Sequence, residues 1–254
     1  MKLVTFNIRY DNGDKEDGKN SFCFRKQLIL DKIRKEQPDI ICFQEVLPHV
    51  AVWLKENLAE YYVIGCGRSK TLADEQTSIA YKKVKFNLIG LEIFWLSETP
   101  QAPGSRYKSQ SICPRLCTQA LFQNMDTGEC FRLFNTHLDH RGRKARELGL
   151  GQILNKMEQS YAADRIPAIL AGDFNASPEA PEMKLLKKYP QYIDLTSDIK
   201  ATFHDFGRLK EPEKIDYIIA RDCFLRGCAG IWDDLSEGIY LSDHYPVCVE
   251  INTK

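Results

Sequence analysis

The chain has no excess of charge of either sign. Lys and Arg together number 35 of the 254 residues and Asp and Glu also number 35, so the formal net charge is zero. Proteins that hold long nucleic acids by the phosphate backbone usually carry a basic surplus. The charge balance therefore disfavours a dedicated DNA- or RNA-binding surface, although it is compatible with a local basic patch.

The nine cysteines are odd in number and scattered, and no CxxC pair occurs. Cys42, Cys130 and Cys248 lie inside apolar runs, where a free thiol behaves as a small hydrophobic side chain. This usage is typical of a reducing compartment. It disfavours both a zinc ribbon and a disulfide scaffold.

Long apolar runs are also missing. No stretch approaches the roughly 20 apolar residues of a membrane-spanning helix, and the first residues have the pattern of a strand rather than of a signal peptide. The sequence predicts a cytoplasmic protein without a transmembrane segment, although a chain whose signal peptide had been removed would look the same. Length predicts one domain over residues 1–254 and leaves the oligomeric state open.

Helical and strand patterns alternate along the chain. Apolar spacing predicts helices over residues 25–36, 47–59 and 143–162, and Ser177-Pro178 opens a short helix that ends at Lys188. The predicted strands cover residues 2–8, 39–43, 61–65, 77–82, 86–95, 115–124, 130–137, 166–171, 215–220 and 247–251. Helices that interleave with many strands, without a linker or repeat, predict an α/β (α+β) fold with two sheets.

Polar side chains mark the ends of six predicted strands. Those at C-terminal ends are Asn7, Glu45, the group Asn135-Thr136-His137, and Asp173 with Asn175, whereas Asp216 and the pair Asp243-His244 precede late strands. If the late strands run antiparallel to the early ones, all of these residues meet at one edge, as a site assembled from distant segments requires. Each residue alone could be a turn or cap residue, but one shared site explains all of them together.

The residue types at these strand ends predict a metal site with oxygen ligands. Asn7 and Glu45 offer hard oxygen atoms, and Asp243 or Asp173 could add another. Such ligands, with few histidines, suit Mg²⁺ or Mn²⁺ better than zinc. A zinc site is the competing interpretation, and its ligands would be His137, His140 and His244.

Six motifs resemble the exonuclease–endonuclease–phosphatase superfamily, which has the DNase-I-like fold. They are Thr5-Phe6-Asn7, Gln44-Glu45-Val46, Asn135-Thr136-His137-Leu138, Gly172-Asp173-Phe174-Asn175, Lys214-Ile215-Asp216-Tyr217-Ile218 and Ser242-Asp243-His244-Tyr245-Pro246, in the superfamily's order. Pro114-Arg115 and Thr202-Phe203-His204 are similar to a bacterial branch of metal-dependent hydrolases of unknown substrate. The resemblance implies a four-layer αββα sandwich, a site in the cleft between the loops of the two sheets, and Mg²⁺ as the ion.

The resemblance also implies a role for each catalytic candidate. His244 would take a proton from the attacking water, while Asp216 holds the other ring nitrogen. Asp173 and Asn175 would position the nucleophile or the phosphate. His137 would hydrogen-bond a phosphoryl oxygen or protonate the leaving oxygen. Whether His244 or Asp173 accepts the proton stays open.

Several basic residues are candidates for substrate binding. Residues 141–146 carry four positive charges, beginning with Arg141, and these would attract a phosphorylated substrate. A solvated helix start is the alternative explanation. Arg115 is a further phosphate-binding candidate, or a surface ion-pair donor, and His204 and His140 either line the cleft or are ordinary loop residues.

Three functional hypotheses follow. The favoured one is a divalent-metal phosphoesterase, in which an activated water attacks a phosphate mono- or diester in line, on a small or medium phosphorylated molecule. The alternative is an exo- or endonuclease, including a deadenylase-like one, which would need a basic groove for DNA or RNA. The third, a non-catalytic binding module, is disfavoured because the full set of catalytic residue types is present. The sequence does not distinguish one metal ion from two.

Overall fold

Fourteen strands and three α-helices make up most of the computed structural model, which describes residues 1–13, 16–221 and 224–253. The strands are β1 (Lys2–Asn7), β2 (Ile40–Gln44), β3 (Tyr61–Ile64), β4 (Ile79–Lys82), β5 (Phe86–Trp95), β6 (Leu116–Asn124), β7 (Cys130–His137), β8 (Ala168–Asp173), β9 (Tyr192–Asp194), β10 (Asp216–Arg221), β11 (Phe224–Ile231), β12 (Leu235–Ser236), β13 (Ile239–Tyr240) and β14 (Val247–Thr253). The α-helices are α1 (Phe22–Glu36), α2 (Pro48–Asn57) and α3 (Arg143–Asp164), and short 3₁₀ segments cover Gly18–Asn20, Pro181–Lys188 and Asp205–Gly207.

The strands form two six-stranded mixed sheets and one two-stranded ribbon. The first sheet has the order β11-β14-β1-β2-β4-β3, the second has the order β5-β6-β7-β8-β10-β9, and β12 pairs with β13. Apolar side chains from the facing sheets, such as Leu3 and Ile40 from one and Leu133 and Ile169 from the other, are fully buried in one cluster. The sheets therefore pack face to face, as in a β-sandwich.

The helices cover the outer faces of the two sheets. Side chains of α1 and α2, among them Ile33 and Leu54, are buried with Phe6 of the first sheet. On the other side, Ile153 of α3 is buried with Leu170 of the second sheet. Because both faces of the central strands are covered, their sequences are almost continuously apolar. The predicted four-layer αββα sandwich of the α+β class is confirmed.

Strand pairing brings the predicted polar strand ends to one edge. His137, the last residue of β7, is paired with Asp173 at the end of the parallel strand β8. Asp216, the first residue of β10, is paired with the same Asp173 in antiparallel register. In the first sheet, Asn7 at the end of β1 is paired with Gln44 of the parallel strand β2, and β14 runs antiparallel to β1. The late strands thus begin where the early strands end.

Asn135, in the middle of the motif that ends at His137, connects the two sheets. Its Nδ2 donates to the backbone oxygens of Phe43, at 2.8 Å, and Ser78, at 2.9 Å. Its Oδ1 accepts a hydrogen bond of 2.8 Å from Nε2 of Gln44. A polar group that is buried and fully bonded in this way fixes the relative position of its neighbours.

The structure differs from the predicted elements in one helix and in four strands that were not predicted. The helix predicted from Ser177-Pro178 begins only at Pro181 and is of the 3₁₀ type. The helix starts late because Ala180, which precedes Pro181, has the extended backbone (ψ 140°) that a residue before proline favours. The prediction also lacks β9, β11, β12 and β13. Of these, β11 contains two glycines and a register shift, which interrupt the alternation of apolar and polar residues that would identify a strand.

Other predictions concern compartment and domain organisation. Among the described residues, no helix is long and apolar enough to span a membrane. Cys42, Cys117 and Cys248 are buried free thiols, whereas Cys223 lies outside the described residues. The cytoplasmic location and the single domain over residues 1–254 stay predictions.

Candidate active site

A cavity of about 500 Å³ lies at the edge where the polar strand ends meet. Its wall includes eight residues named from the sequence, which are Glu45, Arg115, His137, His140, Asp173, Asn175, Asp243 and His244. Asn7 and Asp216 lie behind this wall and hydrogen-bond residues in it. The volume is within the usual range for a small-molecule site.

The ring of His244 is held by a carboxylate on each side. Nδ1 donates a hydrogen bond of 2.8 Å to Oδ2 of Asp216, and Nε2 lies 3.8 Å from Oδ2 of Asp173. Burial alone would lower the pKa of His244, but the charge and hydrogen bond of Asp216 raise it to about 10. Thr202 Oγ1 accepts the backbone N–H of Asp216 and so fixes this carboxylate. The ring therefore presents one nitrogen to the cavity.

Asp173 is the centre of the polar cluster. Its Oδ2 accepts a hydrogen bond of 3.0 Å from Nδ2 of Asn7, and its Oδ1 accepts one of 2.9 Å from the backbone N–H of Asn175. Nε2 of His137 lies 3.4 Å from the same Oδ2. Burial and the nearby charge of Asp216 raise the pKa of Asp173 to about 7. This carboxyl group can therefore exchange a proton near neutral pH.

Glu45 follows β2 in a left-handed backbone conformation, with φ 64°. Its Oε2 accepts a hydrogen bond of 2.8 Å from the backbone N–H of Tyr10, and its Oε1 accepts one of 3.1 Å from Nδ2 of Asn7. Burial acts to raise the pKa of Glu45, but these two hydrogen bonds and the charges of His244 and Arg9 together lower it. A strained residue with a stabilised negative charge is typical of a functional site. Asn175 shares this backbone conformation, with φ 49°.

His137 is a neutral ring in the wall of the cavity. It is buried at the end of β7, and burial together with the charge of Arg115 holds its pKa well below the usual value. A neutral imidazole has one donor and one acceptor nitrogen. It can therefore hydrogen-bond a phosphoryl oxygen without carrying a charge.

Two groups of side chains have the geometry of a metal site. The ligand atoms of Glu45, Glu75 and His137 lie within 4.8 Å of one another, and so do those of Asp173, Asp216 and His244. In the first group, burial and the charge of Glu45 raise the pKa of Glu75 to about 7. Two partly buried carboxylates this close repel each other unless a cation lies between them. This donor set therefore fits a hard divalent cation.

Glu75 was not among the residues predicted from the sequence, nor was its partner Arg68. Glu75 Oε1 accepts a hydrogen bond of 2.6 Å from Arg68 NH2, and both residues line the cavity. A signal was present, because Glu75 comes just before the predicted strand at residues 77–82. Asp216 and Asp243 were predicted from the same kind of position, at the start of a strand that runs antiparallel to its neighbour.

Two predicted substrate contacts do not lie in the cavity wall. Arg141 is exposed, and its backbone N–H donates to Oδ1 of Asp139. His204 is buried behind the wall, where its ring stacks on Tyr245 with centroids 3.9 Å apart and its Nδ1 accepts from the backbone N–H of Gly207. Neither residue is among those that line the cavity, and their contact with a substrate stays a prediction.

The αββα sandwich and its cluster of carboxylates and imidazoles define a DNase-I-like hydrolase. The chain belongs to the Endonuclease/Exonuclease/phosphatase family, whose sequence pattern matches residues 4–244. The resemblance seen in the sequence is thus confirmed, and the protein is an enzyme that hydrolyses phosphoester bonds.

Solved structures and sequence relatives show the range of this family. An endonuclease/exonuclease/phosphatase of Bacteroides vulgatus has 31% identity and a TM-score of 0.92, with 100% of this chain and 98% of that chain covered. A mannosyl-6-phosphatase of Bacteroides thetaiotaomicron has 29% identity and a TM-score of 0.90, with 99% of each chain covered. A 3'-5'-exoribonuclease subunit of the CCR4-Not complex of Mycosarcoma maydis is 23% identical over 198 residues, which cover 61% of this chain and 30% of that protein.

Proposed function

We propose that this protein is a Mg²⁺- or Mn²⁺-dependent phosphoesterase that acts on a small phosphorylated molecule. The proposal is carried by one observation, the placement of the Asp216–His244–Asp173 array in the same cavity as Glu45. The cavity volume of about 500 Å³ and the zero net charge favour a small substrate over a polymer. The similarity to a mannosyl-6-phosphatase supports the same choice.

The residues divide the reaction between them. A water attacks phosphorus in line with the leaving oxygen and gives its proton to the carboxylate of Asp173, which faces the protonated ring of His244. Asp216 keeps the ring of His244 in place, and Asn175 fixes Asp173 through its backbone N–H. His137 donates a hydrogen bond to a phosphoryl oxygen. The phosphorus–oxygen bond to the alcohol then breaks, and the alcohol oxygen takes up a proton from solvent.

Glu45 and Asn7 would hold the cation, with Asp243 and Glu75 as further oxygen donors. When bound, Mg²⁺ or Mn²⁺ supplies positive charge that stabilises a phosphoryl oxygen. Of the basic residues, Arg115 contacts the substrate, whereas Arg141 is exposed and lies outside the cavity wall.

A substrate panel tests the proposal. It contains sugar phosphates, inositol phosphates, nucleotides, phospholipid head groups and short oligonucleotides, each with Mg²⁺, with Mn²⁺ and with EDTA. We expect turnover of a small substrate that EDTA abolishes and that His244→Ala reduces by about 10² to 10⁴-fold. Turnover of oligonucleotides alone, with a steep fall as salt rises, would instead establish the nuclease alternative.

A further inference from the structure

Arg115 is a buried cation that forms no ion pair with a described carboxylate. It is only 4% exposed, and its NH2 donates to Nδ1 of His140 at 3.1 Å. Nε and NH1 have no hydrogen-bond partner in the described part of the chain. Within that part, no carboxylate oxygen lies within the 4.0 Å of an ion pair with its guanidinium group. A buried charge in this state is unfavourable, so an anionic partner from outside the chain is expected.

Three other buried arginines show how this fold satisfies such a group. Arg25 donates to four backbone carbonyl oxygens. Arg68 pairs with Asp74 and with Glu75, and Arg132 pairs with a carboxylate of α3. Arg115 departs from this pattern although it is equally buried. Its open donors therefore point to a ligand rather than to a structural role.

The space beside Arg115 is small. A recess of about 10 Å³ adjoins the cavity, and Arg115, Glu45, Glu75 and His137 line both. This volume is about what one water molecule requires. The recess therefore admits one oxygen atom of a ligand, at a point between the guanidinium group and the proposed cation ligands.

In-line attack leaves three substituents of phosphorus between the attacking and the leaving oxygen. In a phosphate monoester all three are charged oxygens, whereas in a diester one of them carries a carbon chain. Glu45, His137 and Arg115 line the cavity together, so the two hydrogen-bond donors and the cation that Glu45 would hold offer one partner for each of the three substituents. No carbon chain fits in the recess, and an uncharged ester oxygen would leave the donors of Arg115 poorly satisfied.

We propose that Arg115 and the recess bind a non-bridging oxygen of a terminal phosphate, so that the enzyme hydrolyses monoesters and excludes diesters. This inference rests on the proposed phosphoesterase function and adds the substrate class to it. The larger part of the cavity holds the alcohol that leaves. Arg115 is then a specificity residue that touches the substrate.

The test compares p-nitrophenyl phosphate with bis(p-nitrophenyl) phosphate, which release the same alcohol. In the wild type, with saturating Mn²⁺, we expect kcat/KM for the monoester to exceed that for the diester by about 10²-fold or more. Arg115→Gln should lower the monoester value by about 10²-fold and change the diester value by less than about 3-fold. The control is Arg106→Gln, which removes an exposed arginine outside the cavity and should leave both values unchanged.

Thermal unfolding separates this role from a structural one. Because the charge of Arg115 is unpaired, Arg115→Gln should keep or raise the Tm of the free protein. Inorganic phosphate, with Mn²⁺ present, should raise the Tm of the wild type and not that of the variant. A large drop in Tm with an equal loss of kcat/KM on both esters would overturn the inference, and so would a wild type that cleaves the diester equally well.

Absence of turnover on both esters and on the whole substrate panel would count against the phosphoesterase function itself. Phosphate-dependent stabilisation that required Arg115 would still support the anion subsite.

Discussion

At the scale of single residues, the site is a set of charged groups that depend on one another. The carboxylate of Asp216 is 2.8 Å from Nδ1 of His244, and the other ring nitrogen faces Asp173. Besides burial, the charge of Asp216 contributes to the pKa shifts of both His244 and Asp173, so a change of one group alters the others. Two substitutions show how these dependencies can be measured.

Asp216→Asn removes the charge that orients His244. Because an opposite charge raises the pKa of an imidazole, the pKa of His244 should fall from about 10 in the free protein. We also expect kcat to fall by about 10² to 10⁴-fold, since the amide can hold the wrong ring tautomer. NMR titration of the ring and steady-state kinetics measure the two effects. Asp126→Asn, in the exposed turn between β6 and β7, is the control, and equal kcat values for the two variants would contradict the role of Asp216.

Glu75→Gln removes one of the two carboxylates that face each other beside His137. We expect Mn²⁺ affinity, measured by calorimetry, to fall by about 10 to 100-fold. In the absence of metal the same change should raise the Tm, because the repulsion between Glu45 and Glu75 is relieved. The exposed Glu56→Gln on α2 should change neither value. Unaltered Mn²⁺ binding by Glu75→Gln would exclude this residue as a ligand.

At the scale of elements, the rule that located most of the site is a property of strand pairing. Parallel neighbours end at one edge, and an antiparallel strand between or beside them begins there, so His137, Asp173 and Asp216 are adjacent although their chain positions are far apart. Such residues are predictable from the positions of the strands alone. Arg68 was missed because it lies in a loop whose path depends on contacts that no periodicity records, whereas Glu75 directly precedes a predicted strand and could have been found by the same rule.

The junction of α1 with β1 makes a pH-dependent contribution to stability. Lys2 and Lys32 contact the carboxylate of Glu36 at 2.6 Å and 2.9 Å, and their hydrogen bonds lower its pKa to about 2. A carboxylate whose pKa is lower in the folded state stabilises the protein above its unfolded pKa and loses this effect as pH falls through the folded pKa.

Glu36→Gln should therefore reduce the free energy of unfolding by about 1 kcal/mol at pH 7, a value that allows for the partial exposure of the side chain. The difference from the wild type should shrink between pH 4.5 and pH 2. Urea unfolding at several pH values measures it. Asp31→Asn, an exposed change on the same helix, should have a smaller effect, and a Glu36 effect that did not vary with pH would show that the ion pairs do not contribute.

At the scale of the whole molecule, the order of layers was predictable and the shape of the cavity was not. The alternation of apolar strands and helices indicated one domain with two sheets, because each element has to bury its apolar face, and the family resemblance implied the order αββα. The left-handed backbone at Glu45 and the unpaired donors of Arg115 result from tertiary contacts. The recess that distinguishes esters in our proposal thus belongs to a level of structure that the sequence pattern does not describe.

The balance of charge over the whole chain predicts how the activity depends on salt. With 35 basic and 35 acidic residues, the molecule has no net field that would attract an anion from a distance. The buried Arg115 acts at short range, where salt screens little. We therefore expect kcat/KM for a small phosphate ester to change by less than about 3-fold between about 20 mM and 200 mM NaCl, whereas an enzyme that binds several backbone phosphates would lose about 10³-fold or more. Kinetics over a salt series at fixed Mn²⁺ measure the slope. A steep slope would mean that a basic surface outside the cavity takes part, and Arg141→Gln, at the exposed start of the basic segment, would then reduce it.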